Sequence, residues 1–258
     1  MERDVPVNQA VIEFEQGRVD AVHLAAEEEL RGIDKQLACL LSVNKSEQKA
    51  LVDLLLAKKK ELESSDPALC FARFDLDSHE MFYIGRRLVE VAGDEPVTVV
   101  NWRAELAQRF YQATAENPMG LRLRRRFDLD GDQRTILQVG DDRLGHDAPE
   151  DDPGAPTFAD LLLSDLATER SGYLADIVAT IQADQDRVIR LPHDRPVVIQ
   201  GGPGTGKTVV GLHRLSFLLY SQANQLRAQD VLVVGPNPMF LDYARRVLPS
   251  LGDGDVRL

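Results

Sequence analysis

Eight consecutive residues of this chain have types and spacing that could do chemistry: Gly201, Gly202, Pro203, Gly204, Thr205, Gly206, Lys207 and Thr208. They satisfy G-x-x-x-x-G-K-[ST], a string that average composition yields by chance in roughly one chain in a hundred of this length. Gly202, Gly204 and Gly206 let the backbone turn so that successive N–H groups face one anion. A helix starting inside the string adds the positive end of its dipole. Lys207 brings a compact charge to the β- and γ-phosphates, and Thr208 offers a hydroxyl to Mg2+. The expected chemistry is therefore binding of a nucleoside triphosphate. All eight residues are candidate nucleotide contacts, Lys207 and Thr208 the candidate catalytic pair, and Thr208 the metal contact. The loop itself does not choose between ATP and GTP. The competing reading of the same string is a glycine-rich turn whose lysine is merely solvated.

Such a loop needs a strand before it and a helix after it. PVVIQ (196–200) is a short apolar run of the buried-strand type, and a helix is expected from about Gly206 to Ser221. DVLVVGPN supplies a second strand and residues 239–248 a last helix, ending near Pro249. Strand, helix, strand, helix with short connections predicts the start of a parallel sheet covered by helices. Before it, residues 157–191 show helical spacing, with Thr157 able to cap the start.

The first 65 residues differ in kind. Ile12, Val19, Ala26, Ile33 and Leu40 recur every seven residues, with Leu30 and Leu37 in the second seam position. SVNKSE (42–47) breaks the pattern, and Leu51, Leu55 and Leu62 resume it. Two striped helices around a polar turn predict an antiparallel helical hairpin, its first arm roughly 45 Å long at the helical rise. A helical bundle or a dimerising coiled coil fits the same period. From 69 to 101 the period changes to two, with a short helix expected at 103–115 and a hairpin turning at Asp130-Gly131-Asp132. The chain therefore divides into a hairpin arm (1–66), a small α+β module (67–144), an acidic Pro/Gly loop (145–156) and a nucleotide-binding α/β lobe (157–258). The fold class is α/β.

Composition sets bounds. With 30 Lys+Arg against 42 Asp+Glu, the net charge of -12 argues against a protein that coats duplex DNA. No apolar run is long enough to span a membrane and the first residues carry no secretory pattern, so a cytoplasmic setting is expected. Cys39 and Cys70 have no metal or redox spacing, and Cys39, in the heptad stretch, is expected to be a small buried hydrophobe. Arg122, Arg124, Arg125 and Arg126 form the densest basic cluster. It could face an acidic partner, or pair with carboxylates such as Asp128 and Asp130. Trp102, Phe110, Tyr111 and His213 are expected to pack rather than react.

The string GGPGTGKTVVGLHRLSFLLY resembles motif I of superfamily 1 DNA helicases of the UvrD/Rep type, including the pair His213-Arg214. Closer still is the resemblance to HelD-like proteins, helicase-related factors that bind bacterial RNA polymerase. YIGRRL (83–88), VVNWRAELAQRFYQATAENPMG (99–120), RLRRRF (122–127), IVATIQADQDRVIRLP (177–192) and VLVVGPNPMFLDYARRVLPSLGD (231–253) resemble blocks of that family in the same order. The resemblance implies that residues about 8–66 form an arm entering the secondary channel of the polymerase, and that the lobe is the first RecA-like lobe of an ATPase. It also implies that Gln185, 22 residues before Lys207, reads adenine, which favours ATP with Mg2+ as the ligand.

The sequence departs from the family at several points. Val209 stands where UvrD-type helicases carry an Arg, GPNPMF replaces the motif that grips single-stranded DNA, and Asn101 and Glu105 replace the Asp and Pro of DWRAP. Glu47 is the one carboxylate in the arm tip, so no stimulation of transcript cleavage is expected. No D-E-x-x segment follows the second strand through Leu258, so this chain alone is expected to bind nucleotide weakly and to turn none over. The resemblance leaves open a DNA helicase of the UvrD type and a non-catalytic polymerase-interaction module.

Overall fold

The computed structural model describes residues 7–42, 49–64, 69–144, 156–168, 177–251, 253, 256 and 257. The arm tip from residue 43 to 48, with Lys45 and Glu47, and the acidic loop from 145 to 155 lie outside the described residues.

Helix α1 (Val7–Ser42) runs 36 residues and α2 (Lys49–Ser64) runs 16. The heptad seam is buried at Val19, Ala26, Ile33 and Leu37. Its two halves, however, meet different partners. Ile33 and Leu37 pack with Leu55 and Leu62 of α2, while Lys58 and Lys59 pair with Glu29 and Asp34. Val19, Val22 and Ala26 instead pack on a β-sheet, against Tyr83, Val99 and Phe127. A seven-residue period records that one stripe is buried, not what buries it. Cys39 is exposed, contrary to expectation. It lies on the flank between Leu37 and Leu40, off the stripe that α2 covers.

The sheet has six strands: β1 (Ala72–Leu76), β2 (Met81–Gly85), β3 (Val89–Val91), β4 (Val97–Asn101), β5 (Leu121–Leu129) and β6 (Ile136–Arg143). Their order is β3-β4-β2-β1-β5-β6, with β2 and β4 parallel and the other pairs antiparallel. Neighbouring residues face opposite sides, as the strand period requires. Tyr83 and Val99 face α1, whereas Ile84 and Val100 enter the second core with Phe74, Trp102 and Phe110.

Polar residues follow the same alternation. Glu15 of α1, fully buried, accepts hydrogen bonds from Arg73 Nη1 (2.6 Å), Arg125 Nη1 (2.7 Å) and the Tyr83 hydroxyl (2.7 Å). Burial, with Glu15 beside it, pushes the Tyr83 phenol well above its ordinary range.

Helices cover the second face. Of these, α3 (Gln108–Gln112) and α4 (Phe158–Thr168) pack on the strands, α5 (Ala183–Ile189) packs on α3, α6 (Lys207–Ser221) on α5, and α7 (Pro238–Ser250) on α6. Thr157 caps α4 through its hydroxyl, which accepts from the Asp160 N–H at 3.1 Å. The helix expected at 103–115 shortens to α3, because turns occupy residues 102 to 107. Residues 196–200 and 231–234 form no ladder among the described residues. Their single bridge among the described residues joins Leu232 to Arg257. Val198 is 91% exposed and Val234 81%. An apolar run becomes a strand only when another strand supplies its hydrogen bonds. The molecule is thus α/β, a long helix, a mixed sheet and a helical layer.

Candidate functional site

The eight-residue loop closes into α6. Gly206 precedes the helix in left-handed backbone (φ 78°), and Gly204 is left-handed as well (φ 76°). An L side chain at either position would be strained. The loop is exposed from Gly201 to Thr205, and the first N–H groups of α6 open toward it. Thr205 Oγ1 donates to the Gly202 carbonyl at 3.0 Å, and Lys207 Nζ donates to the same carbonyl at 2.5 Å. The lysine charge therefore lies folded onto the loop that carries it. Thr208, exposed on the first turn of α6, leaves its hydroxyl accessible.

Gln185 comes to the same place from α5. A Cβ on Gly206 would sit 2.9 Å from Gln185 Nε2, so a side chain there would push the amide aside. Gln185 Oε1 accepts from the Gln182 N–H at 3.1 Å, which turns the NH2 end toward the loop. Sequence reasoning named Gln185 and the loop separately; the structure brings them together. The donors, the lysine and the amide suit a nucleoside triphosphate in type and placement. Among the described residues no group of three or more His, Cys, Asp or Glu side chains is placed to hold a metal ion.

Several residues that sequence reasoning passed over hold α5 and α6 in place. Arg190 Nε meets both oxygens of Asp186 at 3.0 Å. Its other nitrogens donate to the carbonyls of Trp102 (2.7 Å), Arg103 (3.2 Å) and Ala104 (3.1 Å). Asp186 also accepts from Gln112 Nε2 at 2.8 Å. Arg214 of α6 donates to the carbonyls of Ile189 (3.1 Å), Leu191 (2.6 Å) and Pro192 (2.9 Å), closing the end of α5. The one advance signal was the i, i+4 spacing of Asp186 and Arg190.

His213 is fully buried beside Trp102, ring centroids 5.5 Å apart. Its Nδ1–H donates to the Val209 carbonyl at 2.8 Å. Burial lowers its pKa to about 4; the bond to Val209 opposes this and the Arg86 charge adds to it. It packs, as expected, and stays neutral. Trp102, Phe110 and Tyr111 are likewise buried.

The basic strand is engaged within the chain. Arg124 pairs with Asp142 (2.7 Å), Arg125 with Asp141 (2.6 Å) and Glu15, and Arg126 donates to the Ala179 carbonyl. Arg122 reaches Asp75 at 3.5 Å. The carboxylates are not those nearest in sequence, because the strand register puts Asp141 and Asp142 opposite Arg125 and Arg124. Asn101 uses both ends of its amide: Nδ2 donates to the Arg86 carbonyl (2.8 Å), and Oδ1 accepts from the Arg103 N–H (2.9 Å). An Asp there could make only the second contact.

Residues 12–155, more than half of the chain, match the family model of the DNA helicase IV HelD N-terminal domain. The chain belongs to the HelD family. No curated protein matches it. The HelD N-terminal domain so delimited takes in most of α1, all of α2 and the whole six-stranded sheet, and it stops before α5, α6 and the loop. The chain is thus the N-terminal portion of a HelD-like, helicase-related protein, which is consistent with the UvrD likeness of its loop. Among the described residues, no helix is long and apolar enough to cross a membrane.

Proposed function

We propose that this chain is the ATP-binding N-terminal portion of a HelD-type factor. The factor would bind bacterial RNA polymerase in the cytoplasm and, in the full-length protein, use ATP hydrolysis to remodel or recycle it. One observation carries the nucleotide reading: Gln185, the left-handed Gly206 and Lys207 converge at the start of a 15-residue helix. In this reading Lys207 exchanges the Gly202 carbonyl for phosphate oxygens, and the loop N–H groups donate to the rest. Thr208 would hold Mg2+ through its hydroxyl oxygen, and the ion would supply charge screening for the phosphates. The Gln185 amide pairs with N6 and N7 of adenine. Hydrolysis and its acidic and arginine groups are assigned to the full-length protein, and the segment from 157 to 258 to the first part of its RecA-like lobe. The hairpin arm, residues about 8–66, would occupy the secondary channel by bulk.

The test is titration of the chain with ATP and Mg2+. Lys207→Ala should weaken binding about tenfold to a hundredfold, the worth of a charged hydrogen bond, with helical content unchanged. Equal affinity in the variant would refute the site.

The matched family carries the name of a DNA helicase, so a DNA-translocating protein is the second reading. Capture of RNA polymerase in the absence of nucleic acid supports the first. Binding of single-stranded DNA with a steep salt slope, and no capture of polymerase, supports the second.

A further inference from the structure

Helix α5 has only seven residues and cannot hold its own position. Its first turn carries Gln185, so whatever orients α5 sets where that amide points. Two arginines do so. Arg214 ties the end of α5 to α6, the helix that continues the phosphate loop. Arg190, the residue that follows α5, ties that helix to the six-stranded module, through three successive carbonyls of residues 102 to 104. Its Nε fixes Asp186, the neighbour of Gln185, and Gln112 of α3 holds Asp186 from the module side. The Arg190 guanidinium also lies over the Phe217 ring of α6, 5.1 Å from its centroid. Module, α5 and loop helix therefore meet at one side chain.

We propose that Arg190 is a positioning residue for base recognition. It holds the rotation of α5 so that the Gln185 amide faces the base next to Gly206, and through it the module sets the nucleotide preference of the loop. This inference rests on the reading of Gln185 as the adenine contact. It assigns Arg190 no contact with nucleotide. Without Arg190, α5 stays attached through Arg214, Gln112 and the buried Ile189 but loses its hold on the carbonyls of residues 102 to 104, and the direction of the Gln185 amide is less fixed. The phosphate cradle, built from α6 and residues 201 to 208, keeps its shape. Loss should thus fall on the base and spare the phosphates.

The experiment measures, by competition against fluorescent ATP, the affinities of ATP, GTP and inorganic tripolyphosphate for the full chain. It compares Gln185→Ala, Arg190→Gln, Arg190→Lys and the double variant Gln185→Ala/Arg190→Gln. Gln185→Ala should reduce the preference for ATP over GTP about three- to tenfold, the range of one neutral hydrogen bond. Arg190→Gln should reproduce that loss with tripolyphosphate affinity unchanged, and the double variant should lose no more than Gln185→Ala alone. Arg190→Lys keeps the charge but not the fork, and should lose preference as Arg190→Gln does.

Retained ATP preference in Arg190→Gln, alongside its loss in Gln185→Ala, overturns the positioning role and leaves the reading of Gln185 intact. Equal loss of tripolyphosphate binding, or unfolding of both Arg190 variants by circular dichroism, makes Arg190 a residue of the fold and also overturns the role. An unchanged preference in Gln185→Ala overturns the reading of Gln185 and this inference with it.

Discussion

Two short stretches rich in β-branched residues behave differently in this molecule. VTVVN at 97–101 lies inside a ladder, parallel to β2 on one edge and antiparallel to β3 on the other. PVVIQ at 196–200 pairs with no strand among the described residues, with Val198 91% exposed. The module that holds the first stretch also buries an ionic network centred on Glu15. The segment that holds the second is organised by helices, which bury Ile189, Val210, Leu212, Val247 and Leu248 together, and by arginines that cap helix ends and grip loop carbonyls. Apolar runs state that burial is wanted; the stability of each region depends on what arrives to provide it.

The strongest way to break this comparison is to attack the module at Glu15. Glu15→Ala leaves Arg73 and Arg125 buried without their shared carboxylate. It should cost roughly 3–5 kcal/mol and shift the urea midpoint markedly. Val198→Ser, on the exposed run, should move the same midpoint by less than about 0.5 kcal/mol. If the two variants shift stability alike, the regions are not built differently and the contrast is wrong.

His213 sharpens the comparison where the two regions touch. Its folded pKa, about 4, lies below the ordinary 6.5. The unfolded chain therefore binds the extra proton between those values. The stability contributed by the neutral, buried ring is present above about pH 6.5 and is lost as pH falls toward 4. Between pH 7.5 and pH 5 the loss from this residue should be about 2 kcal/mol. Urea unfolding of His213→Gln at the same two pH values should show that much less change than the parent. An equal change in both would mean that the ring is hydrated or already charged.

How much of this was legible beforehand depended on how local the signal was. The glycine-rich loop ahead of α6 was legible because its eight residues are consecutive in the chain. The heptad stripe was legible, but its division between sheet and α2 was not, since both partners bury an identical stripe. Arg190 gave almost no signal, because its acceptors are backbone carbonyls 86 to 88 residues earlier in the chain. Glu15 looked like one more charge on a helix flank, and its role rests on Arg73, Tyr83 and Arg125, from three different strands.

A smaller effect is expected in the loop itself. Gly206→Ala places a side chain in left-handed backbone and against Gln185 Nε2. The backbone strain should cost about 1–2 kcal/mol, read as a lower melting temperature. Binding of ATP should suffer more than that shift alone would cause, because the added methyl also displaces the amide. A Gly206→Ala protein with unchanged stability and ATP affinity would show that the loop adopts another conformation in solution.

The smallest effect belongs to the basic strand, and it tests whether that strand faces outward at all. Arg122 is the half-exposed member of the cluster, its side chain 51% accessible and 3.5 Å from Asp75. Such a pair gains little from Coulomb attraction in water, and Arg122→Ala should change stability by no more than about 0.5 kcal/mol. Arg124, Arg125 and Arg126 are each held by a carboxylate or a carbonyl of this chain, so they cannot turn toward a polyanion without giving up those contacts. A nucleic-acid surface here would rest on Arg122 alone. If Arg122→Ala markedly weakens single-stranded DNA binding and flattens its salt slope by more than one charge, the internal pairs must open on binding, and the basic strand is an interface rather than a buttress.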